Sequence, residues 1–272
     1  VSRFGLMGPG TSTCGVEGPM GKTVFDCALM LQVMAGIDSR DPFTRPVQIP
    51  DYSTALSGGV RGFKVGIGPD LFPVPVDPDV QAGYDRVVKA LEDAGAELRE
   101  VRLPHKDLVP PTLLKVFGGE WALWHRVNAH FREITYSPDV ARHMEPALAS
   151  TLDDYLGAQI DRERIRQDYA MVFAEVDLLL GPTQAFPAPR IGQDRITVGG
   201  EDCDLLDVII AHTAPSNLAG IPAISVPAGF SQEGLPVGMQ IIAPLFEEAR
   251  LLRTAQVLEE VLADVHARKP AL

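Results

Sequence analysis

The chain has 272 residues, 46% of them hydrophobic and 22% charged, a balance that fits a soluble globular protein with a full core and excludes a disordered chain. With 24 basic against 36 acidic side chains the net charge is -12 and no basic patch interrupts it, so no nucleic acid and no membrane is expected among its partners. The cysteines Cys14, Cys27 and Cys203 are far apart and lack CxxC spacing, which argues against a disulfide framework or a zinc site and for a reducing, cytoplasmic setting.

In chain order, the start carries neither an initiator methionine nor the basic and apolar regions of a signal peptide, so a truncated N-terminus is expected. Residues 1–18 are glycine-rich and turn-prone. A helix over Thr23–Ala35 places Val24, Cys27, Ala28, Leu31 and Met34 on one face, and Gly36 stops it. Arg40–Pro50 is a proline-bearing loop. Gly62–Gly68 reads as a strand with small residues, and Asp77–Ala94 as a helix whose Val80, Tyr84, Val87, Val88 and Leu91 recur at three and four. Leu98–Leu103 alternates as a half-exposed strand does. Helical stretches over Leu113–His130, Pro138–Ala149 and Thr151–Ala174 are rich in charge and expected to cover one face.

The apolar run Leu178–Leu180 then ends in Gly181-Pro182. Two buried strands, Ala223–Val226 and Val237–Ile242, flank a turn over Ala228–Leu235, and Phe246–Leu262 carries Leu251, Leu252, Ala255, Leu258 and Leu262 at helical spacing. The order predicts an α/β fold with a mixed β-sheet sandwiched between helices. Without a linker or repeat, residues 1–272 read as a single domain. The uncharged window Val208–Gln232 holds Pro215, Gly220, Pro222, Pro227 and Gly229, so it is core and loop rather than a membrane span.

No motif supplies catalysis. Gly21-Lys22-Thr23 fails as a phosphate loop because Val16 stands where the first glycine belongs, and Glu17 and Pro19 add a negative charge and a missing donor. The six histidines are scattered, no GxSxG elbow occurs, and no cysteine or lysine has a partner in sequence. Binding is better supported. Thr183, Thr213 and Asn217 lie where strands give way to loops, the border of ligand clefts in open α/β sheets. His212 sits in the apolar HTAPSN run, and Trp121, Trp124 and His125, with Glu120, form a bulky stripe at helical spacing.

LLLGPTQAFPAPRIG, then TAPSNLAGIPAISVPAGFSQEGLPVGMQIIAP, then FEEARLLRTAQVLEE resembles the C-terminal half of the amidase signature family. VSRFGL and EGPMGKTVFDCALMLQVMAGIDSRDP are similar to the segment after that family's glycine/serine-rich catalytic region, so the resemblance covers nearly the whole chain. It implies an incomplete amidase-signature-like fold. It also implies hydrolysis of carboxylic amides to acid and ammonia or amine through an acyl-serine, with no cofactor. The serine nucleophile, second serine and lysine of the family precede VSRFG. No catalytic residue is therefore expected here, and the chain alone is expected to be inactive. Its expected partners are a small-molecule amide substrate and either the missing N-terminal half or a homo-oligomer partner, because strands as uncharged as these need cover.

Arg142 falls roughly where members acting on misacylated tRNA carry a substrate-carboxylate arginine. Ile210 stands in the place of their aspartate, and Thr13-Cys14-Gly15 replaces a common S-L-D. These departures favour a general amidase over a transamidase. A noncatalytic binding or regulatory protein on the same half-fold is the alternative.

Overall fold

The computed structural model describes residues 1–6, 12–128, 137–138, 141–142, 146 and 148–268; the expected helix over 138–149 and the expected end of its predecessor at His130 lie largely outside them. The fold is α/β, with a mixed five-stranded sheet between helices. Its strands are β1 (Lys64–Ile67), β2 (Glu97–Glu100), β3 (Leu178–Pro182), β6 (Ala223–Phe230) and β7 (Pro236–Ile242), in the order β2-β1-β3-β7-β6. β1 runs parallel to β2 and β3, whereas β7 is antiparallel to both β3 and β6. A separate two-stranded hairpin, β4 (Arg195–Val198) and β5 (Glu201–Asp204), turns through Gly199 and Gly200, both at positive φ as such a two-residue turn requires.

Helices form where caps and apolar stripes agree. In α1 (Val24–Met34) the Thr23 side chain accepts from the Asp26 N–H and Asp26 accepts in return, closing a capping box. A one-turn helix, α2 (Tyr52–Ala55), is capped by Asp51 directly after the proline-bearing loop. α3 (Pro78–Asp93) starts at the Asp77 cap with proline at its first position and buries Val80, Val87 and Leu91. α1 and α3 pack with α8 (Glu248–Val261) against Val65, Leu178, Leu180, Met239 and Ile241, one face of the sheet. α9 (Ala263–His266) closes that layer with Val265.

On the other face, α4 (Val109–Val127), α5 (Leu152–Val172) and α7 (Ala214–Ala219) cover Leu179 and Ile242. α6 (Leu205–Ala211) leads from the hairpin into α7 and packs Val208 with Phe186 and Val198. β3 is buried throughout, as its apolar run demands. β6 differs from the expectation of a strand buried on both faces and ending at Val226. It continues through a bulge at Pro227/Gly229 to Phe230, lies at the sheet edge, and exposes Ala223, Ser225 and Pro227. Small residues make that strand look apolar in sequence, but an edge strand needs cover on one face only.

Candidate functional site

Two polar clusters stand on the side of the sheet covered by α4, α5 and α7. The first gathers around Ser12, Thr13 and Cys14. Glu120 of α4 accepts from Ser12 Oγ at 2.5 Å, from Thr13 N at 2.7 Å and from Thr13 Oγ1 at 2.5 Å, and Tyr155 Oη donates to it at 3.1 Å. Arg162 of α5, almost wholly buried, donates from Nη1 to Thr13 Oγ1 at 2.7 Å, from Nη2 to Thr13 O at 2.9 Å and from Nε to Leu218 O at 2.8 Å. Asn217 of α7 donates to Cys14 O at 2.7 Å. Thr13 thus sits between a carboxylate and a guanidinium that do not touch directly, and its hydroxyl links them. Burial pushes the Cys14 thiol up, with Arg162 partly opposing it, so the thiol stays protonated and unreactive near neutral pH.

The second cluster lies where β3 ends. Thr183 Oγ1 and Ser225 Oγ are 2.6 Å apart. The Pro182 carbonyl just before accepts from Gln240 Nε2 at 3.0 Å and meets His212 Nδ1 at 3.3 Å, while Gln240 also donates to His212 O at 2.6 Å. The His212 ring is fully buried and stacks on Phe72 with centroids 4.8 Å apart and planes at 4°. Burial pulls its pKa down to about 4, so the imidazole is neutral and its Nδ1–H donates to Pro182.

The residues singled out in the sequence therefore separate. His212 and Thr183 meet through Pro182, with His212 behind the sheet surface and Thr183 on it. Asn217 belongs to the first cluster. Thr213, half-buried, opens α7 without a side-chain capping bond. Trp121, next to Glu120 on α4, packs its ring against Phe117 at 5.5 Å and His125 at 5.8 Å. Arg142 is exposed and pairs with Asp194 at 3.2 Å, beside the hairpin. Thr13, Arg162 and Ser225 carry no such mark in the sequence. Thr13–Glu120 and Arg162–Thr13 join positions 107 and 149 residues apart, which no local pattern reveals.

Among the described residues, the hydroxyls of the two clusters bond to a carboxylate, a guanidinium or each other. Among the described residues no group of three or more histidine, cysteine, aspartate or glutamate side chains could hold a metal ion, and no helix is long and apolar enough to cross a membrane.

A mixed five-stranded sheet between two layers of helices defines the class of protein as α/β. Residues 1–252 match the Amidase family, and the chain belongs to it, within the amidase signature enzymes. It is 36% identical, over all of its length, to a subunit of the glutamyl-tRNA(Gln) amidotransferase of Chloroflexus aurantiacus, and 37% identical over 95% of its length to the same subunit from Myxococcus xanthus. It covers 59% and 57% of those two proteins, so the chain spans a little over half the length of the curated relatives it matches. Among solved structures it is similar to a bacterial aryl acylamidase of the amidase signature family, with TM-score 0.79 and 25% identity over 93% of this chain and 55% of that one. The corresponding glutamyl-tRNA(Gln) amidotransferase subunit from Thermotoga maritima superposes with TM-score 0.72 at 28% identity, over 89% of this chain and 52% of that one.

Proposed function

We propose that these residues are the C-terminal portion of an amidase that hydrolyses a carboxylic amide to acid and ammonia or amine through an acyl-serine intermediate. In this reading the serine pair and lysine lie in sequence preceding Val1, and 1–272 forms one domain's scaffold and acyl-side pocket in a reducing, cytoplasmic setting. The observation that carries the reading is an unbroken family match over 1–252 in a chain that spans only 59% of its relatives. Thr183, Thr213, Asn217 and Trp121 are the substrate-side residues, with His212 acting behind Thr183. Arg142, held by exposed Asp194, contributes least. The part completing the domain, or a second copy, would cover the outer edge of β6 and the α1 stripe of Phe25, Leu29 and Val33, which are 48%, 45% and 86% exposed.

The names of the relatives favour a second reading, that of an amidotransferase component. Ile210 speaks against it, because it packs among the apolar side chains under α4 and α5, where the tRNA-dependent members are expected to hold an aspartate.

The test compares the 272-residue chain with the protein translated from the upstream coding sequence. The longer protein should release ammonia or amine from simple and aryl amides and trap an acyl adduct on a serine preceding Val1, whereas the chain alone should do neither. Turnover by the chain alone, or none by the longer protein, would overturn the proposal; the latter outcome supports a noncatalytic binding protein.

A further inference from the structure

The sheet face beneath α4, α5 and α7 is closed over β3 and β7 but open over β6. At the closed end Phe72 lies on Gly181, where a Cβ would come within 1.9 Å of its ring, and His212 stacks behind it. Two strands further out, on β6, Ser225 and Pro227 are exposed. The Thr183–Ser225 pair stands at this step. Gly238 forms its floor: a Cβ there would lie 3.1 Å from Ser225 Oγ and 3.3 Å from Thr183 Oγ1. Thr183 N donates to Gly238 O at 3.0 Å, and Pro182 is held from two sides, so the platform is set before anything binds.

Counting hydrogens defines the complement. At 2.6 Å one hydroxyl donates to the other, and neither has a further partner among the described residues. The pair thus presents one outward O–H donor and acceptor lone pairs beside it, with no formal charge. A carboxylate would leave the acceptors unused, and an ammonium would leave the donor unused. A group with a C=O next to an N–H satisfies both.

We infer that the Thr183–Ser225 hydroxyl pair above Gly238 is a recognition site for an uncharged amide group. Two sources supply such a group: the amide substrate of the function proposed above, on which this source rests, and a backbone peptide of polypeptide laid over the exposed face of β6.

The probe is N-methylacetamide, titrated into the 272-residue chain while the backbone amides of Thr183, Ser225 and Gly238 are followed by NMR, with acetate as the charged control. Saturable shifts confined to these positions are expected, weakened about five- to tenfold by Ser225→Ala or Thr183→Val, the equivalent of one net hydrogen bond. No saturable shift, an equal response to acetate, or indifference to both substitutions would overturn the inference. In the longer protein, a several-fold rise in KM for Ser225→Ala at unchanged kcat and melting temperature assigns the site to substrate. A lower melting temperature at unchanged KM assigns it to a peptide backbone, and no change in either counts against both. The titration needs no turnover, so failure of the amidase proposal leaves this site to be decided by binding alone.

Discussion

The two polar clusters lie on the same side of the sheet but obey opposite rules. Around Thr13 the hydrogen-bonding groups of Glu120 and Arg162 meet protein partners, and Ser12, Cys14 and Arg162 are buried. At Thr183 and Ser225 the groups are exposed and their bonding is half used. A satisfied buried network fixes the position of a chain segment and, Asn217 at its rim apart, has little left to offer a ligand. An exposed, half-satisfied pair on rigid strands contributes little to stability and keeps its bonding capacity for something else.

The strongest challenge to this contrast is Arg162→Ala. The substitution strips donors from Leu218 O, Thr13 O and Thr13 Oγ1 and leaves the Glu120 carboxylate without the nearby cation. Removing one member of a buried charged network costs about 3–5 kcal/mol. Urea unfolding should show that loss, and a change under about 1 kcal/mol, the median of an exposed pair, would mean the network is not structural.

Next in size is the acid response of the wall behind Thr183. His212 titrates near 6.5 when unfolded but at about 4 when folded, so the unfolded chain takes up its proton first as pH falls. The stabilisation is complete above about 6.5, declines as pH drops through that value and is gone below about 4. The loss is at most about 3.5 kcal/mol, from about 1.4 kcal/mol per pH unit. Melting temperature against pH should be flatter over this window in His212→Phe than in the parent; parallel curves would show that His212 is not the titrating group.

Smaller again is Asn217→Ala, which removes the bond to Cys14 O at the rim of the first cluster. A loss of about 1 kcal/mol is expected in denaturant melts. In the longer protein a drop in turnover beyond that accounted for by stability would extend the role of Asn217 from anchoring the 12–14 segment to shaping the pocket.

Much of this architecture is legible in the sequence because it is written locally. The Asp77 cap, Pro78 and the spacing of Val80, Val87 and Leu91 define α3 without tertiary help, and Leu178–Leu180 announces the central strand. The β4–β5 hairpin carries half of a readable signal, Gly199-Gly200 after the β-prone Ile196-Thr197-Val198, but Glu201, Asp202 and Asp204 beyond the turn disfavour a strand and obscure it. β6 misleads for the opposite reason: Ala223, Ser225 and Pro227 carry no charge, so exposure and burial look alike. The first cluster is illegible in principle. Its contacts join the N-terminal segment to three helices far along the chain, and only the packing of those helices brings Glu120, Arg162 and Asn217 to the same backbone.

The smallest expected effect tests the contrast most finely. Ser225→Ala removes one of two exposed hydroxyls, leaves Thr183 Oγ1 free to bond water, and disturbs neither the β6–β7 ladder at Ser225 and Gln240 nor the bond from Thr183 N to Gly238 O. Exposed substitutions of this kind change stability by about 0.5 kcal/mol or less. The 272-residue chain carrying it should therefore melt with its parent, while Arg162→Ala on the same face falls far below. A loss of about 2 kcal/mol or more, the range of a buried polar group left without its partner, would show that the pair is part of the folded core. The division between a closed structural cluster and an open binding one would then fail at the second cluster, and with it the reason to look for a ligand there.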